Sequence, residues 1–178
     1  DGAGALTSLI AHAGPIKGKR VLLMGLGGAG KAVGVYLAQT IGLSGELQIT
    51  NRTEQTAQTF QQILRDLCPS TVIQWPPTAD VMRRVDIIVN ATSIGFEGTK
   101  QEQSSPLEIE ACNAISKKHF VFDLIYQPDQ TPLLRAAAER GAQTLNGKDM
   151  NLEQAVIAFE KTVRAAGMSV AQETIKSL

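Results

Sequence analysis

The sequence predicts an α/β chain, a doubly wound parallel sheet with helices on both faces. Two features predict it. The first is Gly25-Leu26-Gly27-Gly28-Ala29-Gly30, set between the apolar run Val21-Leu22-Leu23-Met24 and the helix-compatible segment Lys31 to Ala38. That is the strand, turn and helix setting in which G-x-G-x-x-G acquires meaning. The second is the regular alternation of short apolar runs with amphipathic segments along the rest of the chain. A length of 178 residues, 43% of them hydrophobic, suffices for one domain with a real core.

The elements follow in order. Leu6, Leu9, Ile10 and Ala13 recur at helical spacing, so a helix spans about 3–13 and is stopped by Gly14-Pro15. A strand at 20–24 enters the glycine turn, and a helix over 28–40 ends near Gly42. Leu47-Gln48-Ile49-Thr50 is a second strand, and a helix over 54–66 follows it. Val72-Ile73-Gln74-Trp75 reads as a strand, 79–84 as a short helix, and Asp86 to Asn90 as another strand. Residues 95–106, with Gly95, Gly98 and a polar run, read as a mobile surface loop. Beyond it lie a helix near 107–114, the buried strand Phe120 to Leu124, a turn at Gln127-Pro128-Asp129, and a helix that Thr131 caps with Pro132 in its first turn. A last strand, Gln143-Thr144-Leu145, reaches Asn146-Gly147. The remainder is helical, with a break at Gly167.

Charge and cysteine usage exclude several classes. Lys plus Arg equals Asp plus Glu at 17 each, so no global field points to nucleic acid or an anionic membrane. Any phosphate site is local. Cys68 and Cys112 have no metal-like spacing and no adjacent histidine, which points to a reduced, cytoplasmic chain with no metal site. No stretch reaches the roughly 18 apolar residues of a membrane span, and no basic-then-apolar leader is visible. Because Asp1 rather than Met opens the sequence, a fragment or excised domain is expected.

Open parallel sheets bind ligands outside the carboxyl ends of their strands. At the first end, Gly25 permits a tight turn, Gly27 lets backbone approach a pyrophosphate, and Gly30 lets helix and strand pack closely; the N–H groups at the helix start, from Gly28 and Ala29 on, favour phosphate. At the second, Asn51-Arg52-Thr53 stands where an NAD-binding domain more often has an acid, and its donors suit a ribose phosphate, favouring NADP. A turn with a solvated arginine fits those residues as well. Asn90-Ala91-Thr92-Ser93 offers small hydrogen-bonding groups to a cofactor, or an ordinary capping turn. Asp123 reads as a cap or as a functional carboxylate, and Tyr126 as a substrate contact or a packing residue. In the last helix Gln154 lies off the Leu152-Val156-Phe159-Val163 stripe, beside Met150 and Ala158, facing a cleft or solvent. Nothing beside them in the sequence marks His12 or His119 as a base or ligand, and both read as structural.

Taken together, these segments resemble the shikimate dehydrogenase family across its NADP-binding domain and C-terminal helices. Asp1-Gly2-Ala3-Gly4 is similar to the end of the family's Asn-Thr-Asp-Gly motif, and Gly25 to Gly30 to its glycine loop. Asn51-Arg52-Thr53 matches its NADP clamp and Asn90 to Gly95 its next loop. Asp123-Leu124-Ile125-Tyr126-Gln127-Pro128 and Thr131-Pro132-Leu133-Leu134 match its tyrosine-proline segment; Asn146-Gly147, Met150 and Gln154 match its closing pattern. The resemblance implies a Rossmann-like core over 18–147, preceded by a linker helix (1–14) and followed by C-terminal helices (148–178), without the family's N-terminal substrate domain. It further implies hydride exchange between NADPH and 3-dehydroshikimate to give shikimate, with a Lys–Asp pair handling the proton. By resemblance Asp1 is that aspartate, Tyr126 and Gln154 contact substrate, and Gly147 and Met150 line the nicotinamide pocket. The lysine would belong to the absent domain, so the chain is expected to bind NADP and turn over little. Thr56 replaces a second arginine common in the family, which leaves NAD as a weaker cofactor. Lys148-Asp149 replaces Leu-Gly near the nicotinamide. The alternatives are a domain acting on quinate or another cyclic hydroxy acid, and a non-catalytic NADP-binding regulatory module.

Overall fold

A computed structural model of the chain describes residues 2–148. Helix α1 (Gly2–Ala13) leads into β1 (Arg20–Met24), and α2 (Gly28–Ile41) and a 3-10 turn (Gly42–Ser44) connect β1 to β2 (Glu46–Thr50). Then come α3 (Glu54–Leu64), β3 (Ser70–Val72), α4 (Ala79–Arg84), β4 (Ile87–Asn90), α5 (Ile109–Asn113), β5 (Phe120–Asp123), α6 (Pro132–Glu139) and β6 (Gln143–Leu145). The strands form one parallel sheet in the order β3-β2-β1-β4-β5-β6. The order reverses between β1 and β4, which is the α/β doubly wound, Rossmann-like arrangement expected.

Side-chain alternation along the strands builds two cores. Val21 and Leu23 of β1, Ile87 and Val89 of β4, and Phe120 and Phe122 of β5 pack with α1, α2 and α3 on one face. Leu22, Met24, Ile88 and Val121 point the other way and pack with α4, α5 and α6. Both faces are therefore covered, which is why these strands read as unbroken apolar runs rather than alternating ones. Helix α2 buries Gly30, Val33, Gly34, Leu37, Ala38 and Ile41 at helical spacing and ends where Gly42, at φ 66°, donates its N–H to the Ala38 carbonyl. Helix α6 opens as its sequence requires, with the Thr131 hydroxyl accepting from the Leu134 N–H at 3.2 Å and Pro132 in the first turn.

Two element boundaries need correction. Strand β3 lies at 70–72 rather than 72–75, because Pro76-Pro77 supplies no N–H donors and pairing closes with the Ile73 N–H on the Ile49 carbonyl at 3.0 Å. Ile73 and Trp75 instead pack against the second core. Helix α5 begins at Ile109, not 107, since Glu108 before it is extended at φ −71° and ψ 165°. The loop at 95–106 lies at the surface but is stitched by its own hydrogen bonds. These run from Gly95 N–H to the Gln101 carbonyl and from Ser104 N–H to the same carbonyl, each at 3.0 Å. Among the described residues no helix is long and apolar enough to cross a membrane.

Candidate dinucleotide site

The glycine turn lies where β1 meets β4 at the reversal of strand order. Gly25 adopts φ +89°, and a Cβ there would press on the Ala91 carbonyl and the Thr92 methyl at 2.8–2.9 Å. A Cβ on Gly30 would overlap the Gly25 carbonyl oxygen, so helix α2 rests directly on the turn. Gly27 and Gly28 differ. Among the described residues nothing lies within 4 Å of where their side chains would be, leaving their backbone open to a ligand. The first turn of α2 carries no acidic residue to compete for its N-terminal field. Ala29 packs toward the first core.

A cavity of about 460 Å³ opens in front of this turn, bounded by Gly25, Leu26 and Gly27 of the turn, Asn51 to Thr53 after β2, and Ala91 to Ile94 after β4. Trp75 and Gln101 complete its wall. Asn51 ties two of these loops together, its Oδ1 accepting from the Leu26 N–H at 3.0 Å and its Nδ2 donating to the Thr53 carbonyl at 3.1 Å. Arg52 and Thr53 are exposed at the rim. Among the described residues no carboxylate pairs with Arg52.

Asn90, the first residue of the cluster expected to offer hydrogen bonds to a cofactor or to form a capping turn, faces inward. Its side chain is fully buried and its hydrogen bonds are spent inside the protein. Oδ1 accepts from the Thr92 N–H at 3.0 Å and the Thr92 hydroxyl at 2.7 Å, the local turn that short polar side chains favour. Nδ2 donates to Asp123 Oδ1 at 2.9 Å. Asp123, also fully buried, accepts further from the Ile125 N–H at 3.1 Å and the Thr131 hydroxyl at 2.7 Å. Burial pushes its carboxyl up to about 6, against the opposing pull of the Thr131, Ile125 and Asn90 donors. Asp123 is thus a structural hub that joins the β4 loop, the β5 loop and the cap of α6.

Tyr126 and Gly147 lie outside the cavity wall, at the neighbouring β5 and β6 ends. Tyr126 is partly exposed and meets Phe96 edge to face, with ring centroids 5.7 Å apart. Gly147 donates its N–H to the Ile125 carbonyl at 2.9 Å, and a Cβ there would overlap the Leu124 carbonyl. Lys148 pairs with Asp129 of the β5–α6 loop, so its charge is partnered at the surface. Asp1, Met150 and Gln154, together with Asp149 and the C-terminal helix, fall outside the described residues. The sequence reading missed Leu26, Trp75, Ile94 and Gln101 as wall residues. Only Leu26 and Ile94 had a signal, as neighbours of the motifs already singled out.

This architecture defines a dinucleotide-binding α/β domain: a glycine turn at the reversal of strand order, an open helix N-terminus and an arginine at the end of β2. The comparisons with known proteins specify it further. The chain is 38% identical over 172 residues to the NADP-dependent shikimate dehydrogenase of Desulforamulus reducens, covering 90% of this chain and 55% of that protein. Its fold matches shikimate 5-dehydrogenase from Listeria monocytogenes, solved with shikimate and NAD, with a TM-score of 0.79 at 27% identity over 99% of this chain and 61% of that one. Quinate dehydrogenase from Corynebacterium glutamicum, solved with NAD, matches with a TM-score of 0.80 at 26% identity over 98% and 59%. No protein-family model matches. The chain belongs to the shikimate dehydrogenase family and corresponds to its NAD(P)-binding portion, spanning a little over half the length of these relatives.

Proposed function

We propose that this chain is the NADP-binding part of a shikimate dehydrogenase, which, joined to a substrate domain, serves reversible hydride transfer between NADPH and 3-dehydroshikimate in aromatic amino-acid biosynthesis. One observation carries the reading. The cavity at the strand reversal joins an open glycine backbone, a helix N-terminus and Arg52, which pairs with no carboxylate among the described residues. The Gly27 and Gly28 backbone and the start of α2 hold a pyrophosphate, and Arg52 with Thr53 holds a ribose phosphate. Ser93 offers an exposed hydroxyl from the facing loop, where the Thr92 hydroxyl is committed to Asn90. The nicotinamide, when bound, supplies or accepts the hydride.

By the family resemblance, the nicotinamide end lies over β4, β5 and β6, with Gly147 and Met150 beside it, Tyr126 and Gln154 on the substrate, and Asp1 sharing proton handling with a lysine of a preceding domain. On this reading the compartment is the cytoplasm. A steady-state assay of the 178 residues alone with shikimate and NADP should show turnover at least a hundredfold below that of a full-length relative, because they span a little over half the length of such relatives. Comparable turnover would contradict the proposal.

Cofactor choice tests the clamp. A charge-assisted contact to phosphate contributes roughly 1.5–3 kcal/mol, so NADP should bind about ten- to a hundredfold more tightly than NAD, and Arg52→Ala should erase most of that difference in calorimetric titration. Equal affinities in the unmutated chain would overturn the assignment. Thr56 at the start of α3, where the family often has a second arginine, leaves NAD as an alternative cofactor.

A further inference from the structure

We propose that Trp75 is the platform on which the adenine ring of the dinucleotide stacks. The inference rests on the dinucleotide reading above and adds the base subsite to it. Neighbouring strands in a sheet lie about 4.8 Å apart, so the ends of β1, β2 and β3 form a row of steps along the carboxyl edge. The glycine turn after β1 is the pyrophosphate step, and Asn51-Arg52-Thr53 after β2 is the ribose step. Continuing the row, the base falls beyond β2, where the chain leaving β3 carries Trp75.

The side chain is suited to that position. Trp75 is partly buried, packs against the second core, and also forms part of the cavity wall alongside Arg52 and Thr53. A ring that packs on the core and also lines a cavity is a held apolar surface, which costs little ordering when a flat base settles on it. Every base has a π-face, so stacking on an aromatic ring gives affinity without requiring base-specific hydrogen bonds. Trp75 is also the only tryptophan in the sequence, so its emission reports on this place alone.

The test uses the whole chain, excited at a wavelength that the adenine ring does not absorb. Titration with adenosine 2′,5′-bisphosphate, which carries the base and the ribose phosphate, should quench Trp75 emission along a saturating curve. Nicotinamide mononucleotide, which has no adenine, should leave it unchanged. In calorimetry, Trp75→Leu should weaken NADP and the bisphosphate by a common factor, roughly 5- to 150-fold, and Trp75→Phe should recover most of it. Thermal unfolding of both variants separates lost stacking from lost structure. If Trp75→Leu fails to fold, the emission titration of the unmutated chain decides alone. NADP binding with no change in Trp75 emission, or full affinity in Trp75→Leu, would overturn the stacking role and leave the dinucleotide reading standing. Absence of NADP binding to the unmutated chain would overturn both.

Discussion

At the scale of single residues, the site depends on polar groups that are hidden rather than displayed. Asp123 has no solvent exposure, yet it accepts from Asn90, Ile125 and Thr131 and so holds the β4 end and both ends of the β5–α6 loop in one arrangement. Its folded carboxyl titrates at about 6, above the value of about 3.9 expected in the unfolded chain. The folded state therefore binds this proton more tightly. Its contribution to stability is fully present below about pH 4, declines as pH rises toward 6, and stays constant above that. The gap of about two units corresponds to about 3 kcal/mol. The stability advantage of the unmutated chain over Asp123→Asn should accordingly shrink by that order between pH 4 and pH 7, as read by urea denaturation at both. An advantage that holds steady or grows over the interval would show that burial does not govern this carboxyl. Sequence could suggest Asp123 as a cap or a functional group but not choose between them, since its partner Asn90 lies 33 residues away and on another strand.

At the scale of elements, most boundaries were legible because each has a local cause. Helix α2 is announced by the glycines before it and Gly42 after it, and helix α6 by Thr131 and Pro132. Where the cause is not local, the reading slipped. Strand β3 sits at a sheet edge, with only β2 to pair with, and its apolar residues Ile73 and Trp75 serve the second core rather than the ladder. An apolar run alone does not distinguish those uses. The cap of α6 carries a sharper expectation. The Thr131 hydroxyl both accepts from the Leu134 N–H and donates to Asp123 Oδ2, with the residue almost wholly buried. Thr131→Val keeps the shape and removes both bonds, so it should cost about 2–4 kcal/mol from the lost cap and the under-satisfied carboxylate. Chemical denaturation measures this directly, and a loss under 1 kcal/mol would mean that the hub is dispensable.

At the scale of the molecule, the alternation of strands and helices led to the correct sheet class, and the general rule for parallel sheets placed ligand chemistry at the carboxyl edge. The structure shows how that edge divides. The ends of β1, β2, β3 and β4 enclose one cavity, while Tyr126 and Gly147 gather at the ends of β5 and β6 beside it. Gly25, Gly27, Arg52, Thr53, Thr92 and Ser93 were readable as its wall from motif and spacing. Trp75 and Gln101 were not, because only the pairing of β3 on β2 and the folding back of the 95–106 loop bring them there.

The central claim is that this cavity receives the adenosine and pyrophosphate part of NADP. Amide chemical-shift mapping during an NADP titration tests it most directly. The largest shifts should fall on Leu26 to Lys31, Arg52 to Glu54 and Ala91 to Ile94, with a single saturation curve shared by all three segments. Shifts concentrated elsewhere, or none at millimolar NADP, would contradict the account.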